Sequence, residues 1–443
     1  MKYYLGIDIG ASSGRAIIGY IKDNKLELDE VYRFPNSVIM DNNHLIWDIN
    51  NIFNEVKNGI RKALEKYPHI ESMSIDTWGV DYVLMDGDKE ILPCISYRDT
   101  RTNEVIDIVH KIIPSEELYN ITGCQEQSFN TIYQLYWDKV NGRLDKANNF
   151  LMIPEYLIYK LTGVMVHEYT NASTTSLLDS HTFNYSDEII KRLGFKKELF
   201  KSISKPGRVV GELSKSIQEE VCGNILVKLC ATHDTGSAVE GIPIEDDNPY
   251  LSSGTWSLLG IKNSSVINNS KARLANYSNE YGPNYIRFQK NIMGLWIIQR
   301  LSKEMNLDFK EMVQLSKESS YKEIFDVNDK VFLSSLNMKD EIINWFKRNN
   351  KTLPKDNKDI INATYLSLAY SYSIAIKELE DITNKKYSKL YIVGGGAKNS
   401  YLNELTINYT GLDVIALPIE ATAIGNIINQ MEDSCEKRSY RII

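Results

Sequence analysis

Apolar positions at the start of the chain fall into short runs parted by turns. Residues 3–9 form one run, interrupted by Asp8. The turn Gly10-Ala11-Ser12-Ser13-Gly14 follows, and residues 15–21 form a second run rich in isoleucine. Asp23-Asn24 is another turn, and residues 26–34 alternate like a strand. This opening predicts a β-meander. Ile52, Phe53, Val56, Ile60, Ala63 and Leu64 then recur at helical spacing and predict an amphipathic helix. Residues 72–85 return to strand character. Strands, a helix and a further strand predict α/β architecture.

Residues 100–225 read as helices and loops, broken at Pro114, Gly123, Pro154, Gly163 and Pro206-Gly207. A short apolar strand at 226–230 leads into Ala231-Thr232-His233-Asp234-Thr235-Gly236. After a polar turn at 245–249, residues 250–260 read strand, Gly/Ser turn, strand, which echoes residues 4–19. Two copies so far apart predict two similarly built domains rather than a solenoid. They are placed at 1–243 and 244–443. The second half then predicts a long helix at 362–382, a strand at 390–393 and the turn Gly394-Gly395-Gly396. A helix, a strand and a helix follow, to about residue 430.

The turn at 10–14 fits G-x-S-x-G, the nucleophile elbow of hydrolases, but that elbow needs a helix after the serine. Residues 15–20 read as a strand, which also excludes the dinucleotide fingerprint. The Gly-Lys-Ser/Thr of a P-loop is missing here and at 394–400. What remains is a tight turn whose amides suit an anion. Ser12, Ser13 and the Arg15 guanidinium, which can grip phosphate bidentately, lie beside it. Asp8 is placed to orient a hydrated Mg²⁺. An ordinary hairpin turn is the plain alternative. Ser252-Ser253-Gly254-Thr255 repeats the chemistry, and two facing copies would make a pincer for a polyphosphate.

Asp234 ends a predicted strand at the domain junction, where it could accept the proton of a substrate hydroxyl; a turn or N-cap aspartate is the alternative. His233 reads as a satisfied structural histidine. Trp78 and Gly79, between Asp76 and Asp81, suit either a sugar's apolar face or a core tryptophan beside a bulge. Residues 291–300 look like the start of a helix, with Asn291 as N-cap or ligand contact. Gln299 then falls about two turns later on the same side, and Leu295, Trp296 and Ile298 belong in the core. Gly394-Gly395-Gly396 lets a ring or phosphate lie against the backbone.

Composition narrows this further. The 443 residues carry 51 basic and 58 acidic side chains, a net charge of −7, and 43% are hydrophobic. A globular chain of this length needs no disulfide or metal staple. The charge argues against nucleic-acid and anionic-membrane surfaces. No apolar run nears the ~18 residues of a membrane span, and Asp8 interrupts what would be a signal peptide. Five cysteines without a C-x-x-C pair read as reduced thiols in a cytoplasmic chain.

Together these segments resemble the FGGY carbohydrate kinases, within the sugar kinase, heat-shock and actin-like superfamily. The matching stretches are 6–15, 33–36, 47–48, 76–81, 97–101, 233–238, 250–259, 291–300, 394–403 and 420–426. The resemblance implies an α/β fold of two ribonuclease-H-like domains around a central cleft, closing over ATP and sugar. It implies ATP- and Mg²⁺-dependent phosphorylation of a ketose, foremost at the 1-hydroxyl of L-rhamnulose. L-fuculose, xylulose or a non-catalytic sugar sensor are the alternatives, and monomer or dimer stays open. It places Ala11, Ser12, Ser13, Gly14, Arg15 and Thr255 at the ATP phosphates. Gly395 or Gly396 lies at the adenosine, and Gln299 is a further ATP contact. It places Gly79, His233, Asp234, Thr235 and Asn291 at the sugar, with Asp234 as proton acceptor. The family pattern would continue as a further helical segment where this chain has the charged stretch 431–443. The packing behind the adenosine site is where that difference would bear.

Overall fold

A computed structural model describes residues 1–431 except 245, 334, 336, 418 and 419. The atypical end at 432–443, with Cys435, lies outside the described residues. In chain order the elements used below are β1 (Tyr4–Ile9), β2 (Ser13–Lys22), β3 (Lys25–Pro35), α1 (Ile49–Lys66), β4 (Ser72–Thr77), β5 (Val209–Glu212), β6 (Leu226–Lys228) and α2 (Asp234–Glu240). They continue with β7 (Tyr250–Ser253), β8 (Trp256–Asn263), β9 (Ser278–Tyr281), β10 (Ile286–Met293), α3 (Trp296–Met305), α4 (Asn357–Thr383), β11 (Lys389–Val393), α5 (Ser400–Thr410), β12 (Asp413–Ala416) and α6 (Ala421–Gln430).

The chain forms two compact units. The first holds Met1–Pro243, Asn263–Phe288 and the stretch from Ala421 onward; the second holds Ile244–Lys262 and Gln289–Glu420.

The first unit is built on a six-stranded sheet of order β5-β6-β4-β1-β2-β3. The predicted meander β1-β2-β3 is present as antiparallel pairs, and β1 runs parallel to β4. Alternation along β1 sends Leu5, Ile7 and Ile9 to one face, where Ile52, Val56, Ile60 and Ala63 of α1 cover them. The other face carries Tyr4, Gly6 and Asp8, and α6 lies over it through Ala423 and Ile427, with Met431 just beyond the helix packing alongside. Gly6 leaves the room: a Cβ there would sit 3.2 Å from Asn426 Oδ1. The same face of β4 is polar. Ser72 Oγ donates to Gln430 Oε1 (2.8 Å), and Asp76 Oδ2 accepts from Asn426 Nδ2 (2.6 Å).

In the second unit the sheet runs β10-β8-β7-β11-β12. The 250–260 hairpin is the predicted β7-β8 pair, and β7 lies parallel to β11. The long helix α4 is present and buries Ile361, Tyr365 and Leu368. The helix start expected at 291 is absent. Residues 286–293 continue as strand β10, and α3 begins only at Trp296. Arg287, Gln289 and Asn291 alternate with Phe288 and Ile292, a period of two that a helix-start motif overrode. Asn291 is therefore no N-cap and shares no helix face with Gln299. Ile298 is core, but Leu295 and Trp296 are only half-buried.

Among the described residues no helix is long and apolar enough to cross a membrane. Cys94, Cys124, Cys222 and Cys230 are free thiols.

Candidate active site

In the first unit β1 ends in the tight turn at 10–13, closed by Gly10 N–H to Ser13 C=O (2.9 Å). Asn36 clamps it, with Nδ2 on Gly10 C=O (2.9 Å) and N–H on Ser12 C=O (3.1 Å). Ala11, Ser12, Ser13 and Gly14 thus sit on a pinned turn. Gly14 packs under Phe34, whose ring a Cβ would strike at 2.1 Å.

Strand register sets the charges beyond the turn. Asp8 lies opposite Arg15 on β2 and opposite Asp76 on β4. Arg15 Nε and Nη2 both donate to Asp8 Oδ2, at 2.9 and 2.8 Å. Asp76 is fully buried, and its Oδ1 has no hydrogen-bond partner. Burial, then the charge of Asp8, raises its carboxyl well above the usual range; Asp234 adds to this, while Asn426 and Arg15 oppose it. Sequence reasoning did not place Asp76 in the site. The polar side of the alternation Ser72-Met73-Ser74-Ile75-Asp76 was the available signal.

Asp234 opens α2, with His233 at the N-cap position. The backbone before it is pinned. Thr77 N–H donates to Thr232 C=O (2.9 Å), and Thr77 and His233 form a parallel bridge. Glu168, fully buried, accepts from Thr232 N–H (3.2 Å) and Oγ1 (2.7 Å). Asp234 Oδ1 accepts from its neighbour Thr235 through N–H (2.6 Å) and Oγ1 (3.2 Å). The surrounding protein raises its carboxyl above the usual range; His233 opposes the shift and Asp8 adds to it. Its side chain keeps 31% exposure, so a substrate can reach it. Gly79 lies in the same unit, where a Cβ would come within 3.1 Å of Thr174 and 3.3 Å of the His233 ring.

Trp78 belongs to the core. It is 6% exposed and packs on Trp47 at 4.2 Å, and its Nε1 donates to Asp81 Oδ2 (2.9 Å). Asp81 is structural as well: Trp47 Nε1, Tyr97 N–H and Gln134 Nε2 also donate to it.

The second unit brings another set together. Leu295 N–H donates to Gly254 C=O (2.9 Å) and Trp296 N–H to Thr255 C=O (3.3 Å), so α3, which carries Gln299, starts at the 253–256 turn. Gly394 (φ +80°) and Gly396 pack on Ser253: Cβ atoms there would lie 2.7 Å from Ser253 C=O and 2.0 Å from Ser253 Oγ. Thr255, Gly395, Gly396 and the first turn of α3 are thus neighbours. Asn291, on β10, has a buried Oδ1 without a partner.

The model of the FGGY family of carbohydrate kinases, N-terminal domain, matches residues 3–241, and the C-terminal domain model matches 250–432. The chain belongs to the FGGY family of carbohydrate kinases. This FGGY kinase is 44% identical to the rhamnulokinase of Oceanobacillus iheyensis, over 96% of this chain and 92% of that one. It is 40% identical to the rhamnulokinase of Bacillus subtilis, over 97% and 90%. Solved structures share the mixed α/β two-domain fold. A ligand-bound xylulose kinase from Lactobacillus acidophilus superposes with TM-score 0.80 at 16% identity, covering 97% of this chain and 89% of that one. Plasmodium falciparum glycerol kinase with ADP gives 0.76 at 16% identity, over 97% and 89%. At such identities the likeness is one of fold. FGGY kinases are ATP-dependent.

Proposed function

We propose that this kinase transfers the γ-phosphoryl group of ATP to the 1-hydroxyl of L-rhamnulose, giving L-rhamnulose 1-phosphate and ADP in cytoplasmic L-rhamnose breakdown. The observation that carries the reading is the 44% identity to a rhamnulokinase across 96% of the chain. Asp234 takes the hydroxyl proton as the sugar oxygen attacks phosphorus and ADP leaves. Its raised affinity for a proton makes it a stronger base than an exposed aspartate, and its exposure admits the hydroxyl. Gly79, His233, Thr235 and Asn291 hold the sugar. The amides and hydroxyls of Ala11, Ser12, Ser13 and Gly14, with Arg15 and Thr255, hold phosphate oxygens. Gly395, Gly396 and Gln299 hold the adenosine side. In covalent order, 1–243 is the sugar side and 244–443 the nucleotide side.

Mg²⁺ fits the first unit. Asp8 raises the cost of ionising Asp76 and Asp234, Arg15 supplies one positive charge, and Asp76 Oδ1 is an orphaned acceptor. Among the described residues no three His, Cys, Asp or Glu side chains form a direct metal cage. Asp8 would therefore hold the ion through water, and an ion bound there would neutralise charge on the phosphates.

The test is a coupled ADP-release assay over L-rhamnulose, L-fuculose and the xyluloses, with Asp234→Asn alongside. L-Rhamnulose should give the highest kcat/KM. Asp234→Asn should turn over about 10²–10⁴-fold more slowly while still binding sugar. A higher kcat/KM for another ketose overturns the substrate. Near-normal turnover by Asp234→Asn overturns the base.

A further inference from the structure

One buried carboxylate ties together two stretches of the first unit that the proposed function puts at the sugar. Glu168 is 0% exposed, and its side chain accepts five hydrogen bonds. Three come from the short helix Tyr169–Ala172 that it begins. Thr170 N–H donates to Oε1 (2.8 Å), while Thr170 Oγ1 (2.7 Å) and Asn171 N–H (3.0 Å) donate to Oε2. The other two come from Thr232, whose N–H (3.2 Å) and Oγ1 (2.7 Å) both donate to Oε2. Glu168 is itself anchored, since its N–H donates to Oε1 of Glu155 (2.6 Å), another fully buried carboxyl. A short side chain is enough to cap a helix. The longer glutamate is what reaches Thr232.

The first branch leads to the proton acceptor. Thr232 C=O accepts from Thr77 N–H on β4 (2.9 Å) and from Asn171 Nδ2 (3.4 Å). With Glu168 on its N–H and hydroxyl, every polar group of Thr232 is engaged. Asp234 follows two residues later, as the first residue of α2.

The second branch leads to Gly79. Thr174 Oγ1 donates to Asn171 C=O (2.8 Å) and accepts from Val80 N–H (3.2 Å). Val80 has φ +67°, a region that β-branched residues rarely enter. Its C=O accepts from Thr131 Oγ1 (2.7 Å) and Gln134 Nε2 (3.2 Å). Such a backbone persists only where its surroundings over-determine it. Gly79, the residue before it, packs directly on Thr174.

We propose that Glu168 is a positioning residue for phosphoryl transfer: its carboxylate holds Asp234, through Thr232, in register with the sugar wall at Gly79 and Val80, through Asn171 and Thr174. The inference rests on the reading of Asp234 and Gly79 as sugar-side residues. Glu168 touches neither substrate. Base and wall are held as one body, so a hydroxyl seated on the wall meets the carboxylate that takes its proton.

Thr232→Val isolates the first branch. It removes the hydroxyl bond to Glu168 and leaves the carboxylate on Thr170 and Asn171. With the ketose that the wild type turns over fastest, its kcat should fall about tenfold or more, with the KM for ATP unchanged. Thr232→Ser restores the hydroxyl and should recover most of the loss. Glu168→Gln puts an NH₂ where donors converge. It should lower kcat as well, and raise the sugar Kd, titrated without ATP, about threefold or more. The double variant should be no slower than Glu168→Gln alone, because both changes act through one contact. A folded Thr232→Val with wild-type kcat, or a Thr232→Ser as slow as Thr232→Val, overturns the proposal even if no Glu168 variant folds. So do losses that multiply in the double variant, or a folded Glu168→Gln with wild-type sugar Kd. Asp234→Asn is run alongside. Near-normal turnover there overturns the base and the clamp with it, whereas a slow Asp234→Asn beside a normal Thr232→Val overturns the clamp alone.

Discussion

Replacing Gly425 by alanine sets two physical effects against each other, and the structure says which prevails. Gly425 lies inside α6, where alanine is the better helix former by roughly 1 kcal/mol. On propensity alone the variant should be more stable. But α6 crosses α2 at this point with almost no room. A Cβ on Gly425 would lie 1.8 Å from Ser237 C=O and 2.9 Å from Gly241 N, where ordinary contact begins at 3.4 Å. Gly241 returns the contact: its Cβ would sit 2.0 Å from Ala421 C=O. The atoms met are backbone, so no side chain can swing aside. One helix must move by about an ångström or more. If α2 moves it carries Asp234, its first residue; if α6 moves it carries Asn426, which holds Asp76. Overpacking of this kind costs about 1–3 kcal/mol. At roughly 2–4 °C per kcal/mol for a domain of this size, the melting temperature should fall by several degrees. A misplacement near 1 Å at the base should also lower kcat on the order of 10²-fold. Thermal denaturation and the coupled ADP-release assay read the two effects. Gly163→Ala is the control, since its φ is +76° and no atom lies within 4 Å of its Cβ, so it reports backbone strain alone. A Gly425→Ala protein that melts at or above wild type with normal kcat would refute the steric reasoning.

Asp76 gives a pH-dependent prediction. Its folded carboxyl binds a proton more tightly than the unfolded one, so its contribution to stability is present below about pH 4 and lost as pH rises through the raised folded value. Asp76→Asn, with chelator present, should therefore melt higher than wild type at pH 7.5, with the gap closing toward pH 4; a lower melt at pH 7.5 would contradict this. Trp78→Phe removes one donor from buried Asp81. It should cost about 1–3 kcal/mol of stability and leave the sugar KM within about twofold, whereas a raised KM without loss of stability would put the ring at the sugar.

Much of this was legible because period-two alternation survives wherever one strand face is buried. The meander, both hairpins and the strand before Gly394 follow from it. So does the exclusion of the hydrolase elbow, since β2 continues as strand after Gly14. The error at 291–300 has a local cause. Asn291-Ile292-Met293-Gly294-Leu295-Trp296 places small and capping residues just before a helical run, and the eye starts the helix one strand too early. Trp78 was ambiguous because indole suits both sugar and core. What decides is Asp81, three residues on, which takes both Trp47 and Trp78 N–H groups.

The glycines show where motif reading and packing part company. Gly10-Ala11-Ser12-Ser13-Gly14 and Gly394-Gly395-Gly396 drew attention because small residues let a phosphate or ring approach the backbone. Several of these glycines are already required by the protein itself. Gly14 is required by the Phe34 ring at 2.1 Å, Gly396 by Ser253 Oγ at 2.0 Å, and Gly394 by Ser253 C=O at 2.7 Å and its own positive φ. Each would be glycine with no ligand at all, so none of them is evidence for one. Gly10 and Gly395 differ. Their nearest neighbours to a Cβ are at 3.5 and 3.6 Å, ordinary contact that alanine could make. Packing leaves those two positions unexplained, so they carry the weight of the phosphate and adenosine readings. At the others the missing side chain keeps the turn in shape, and a pinned backbone has little entropy left to lose when its amides meet the nucleotide.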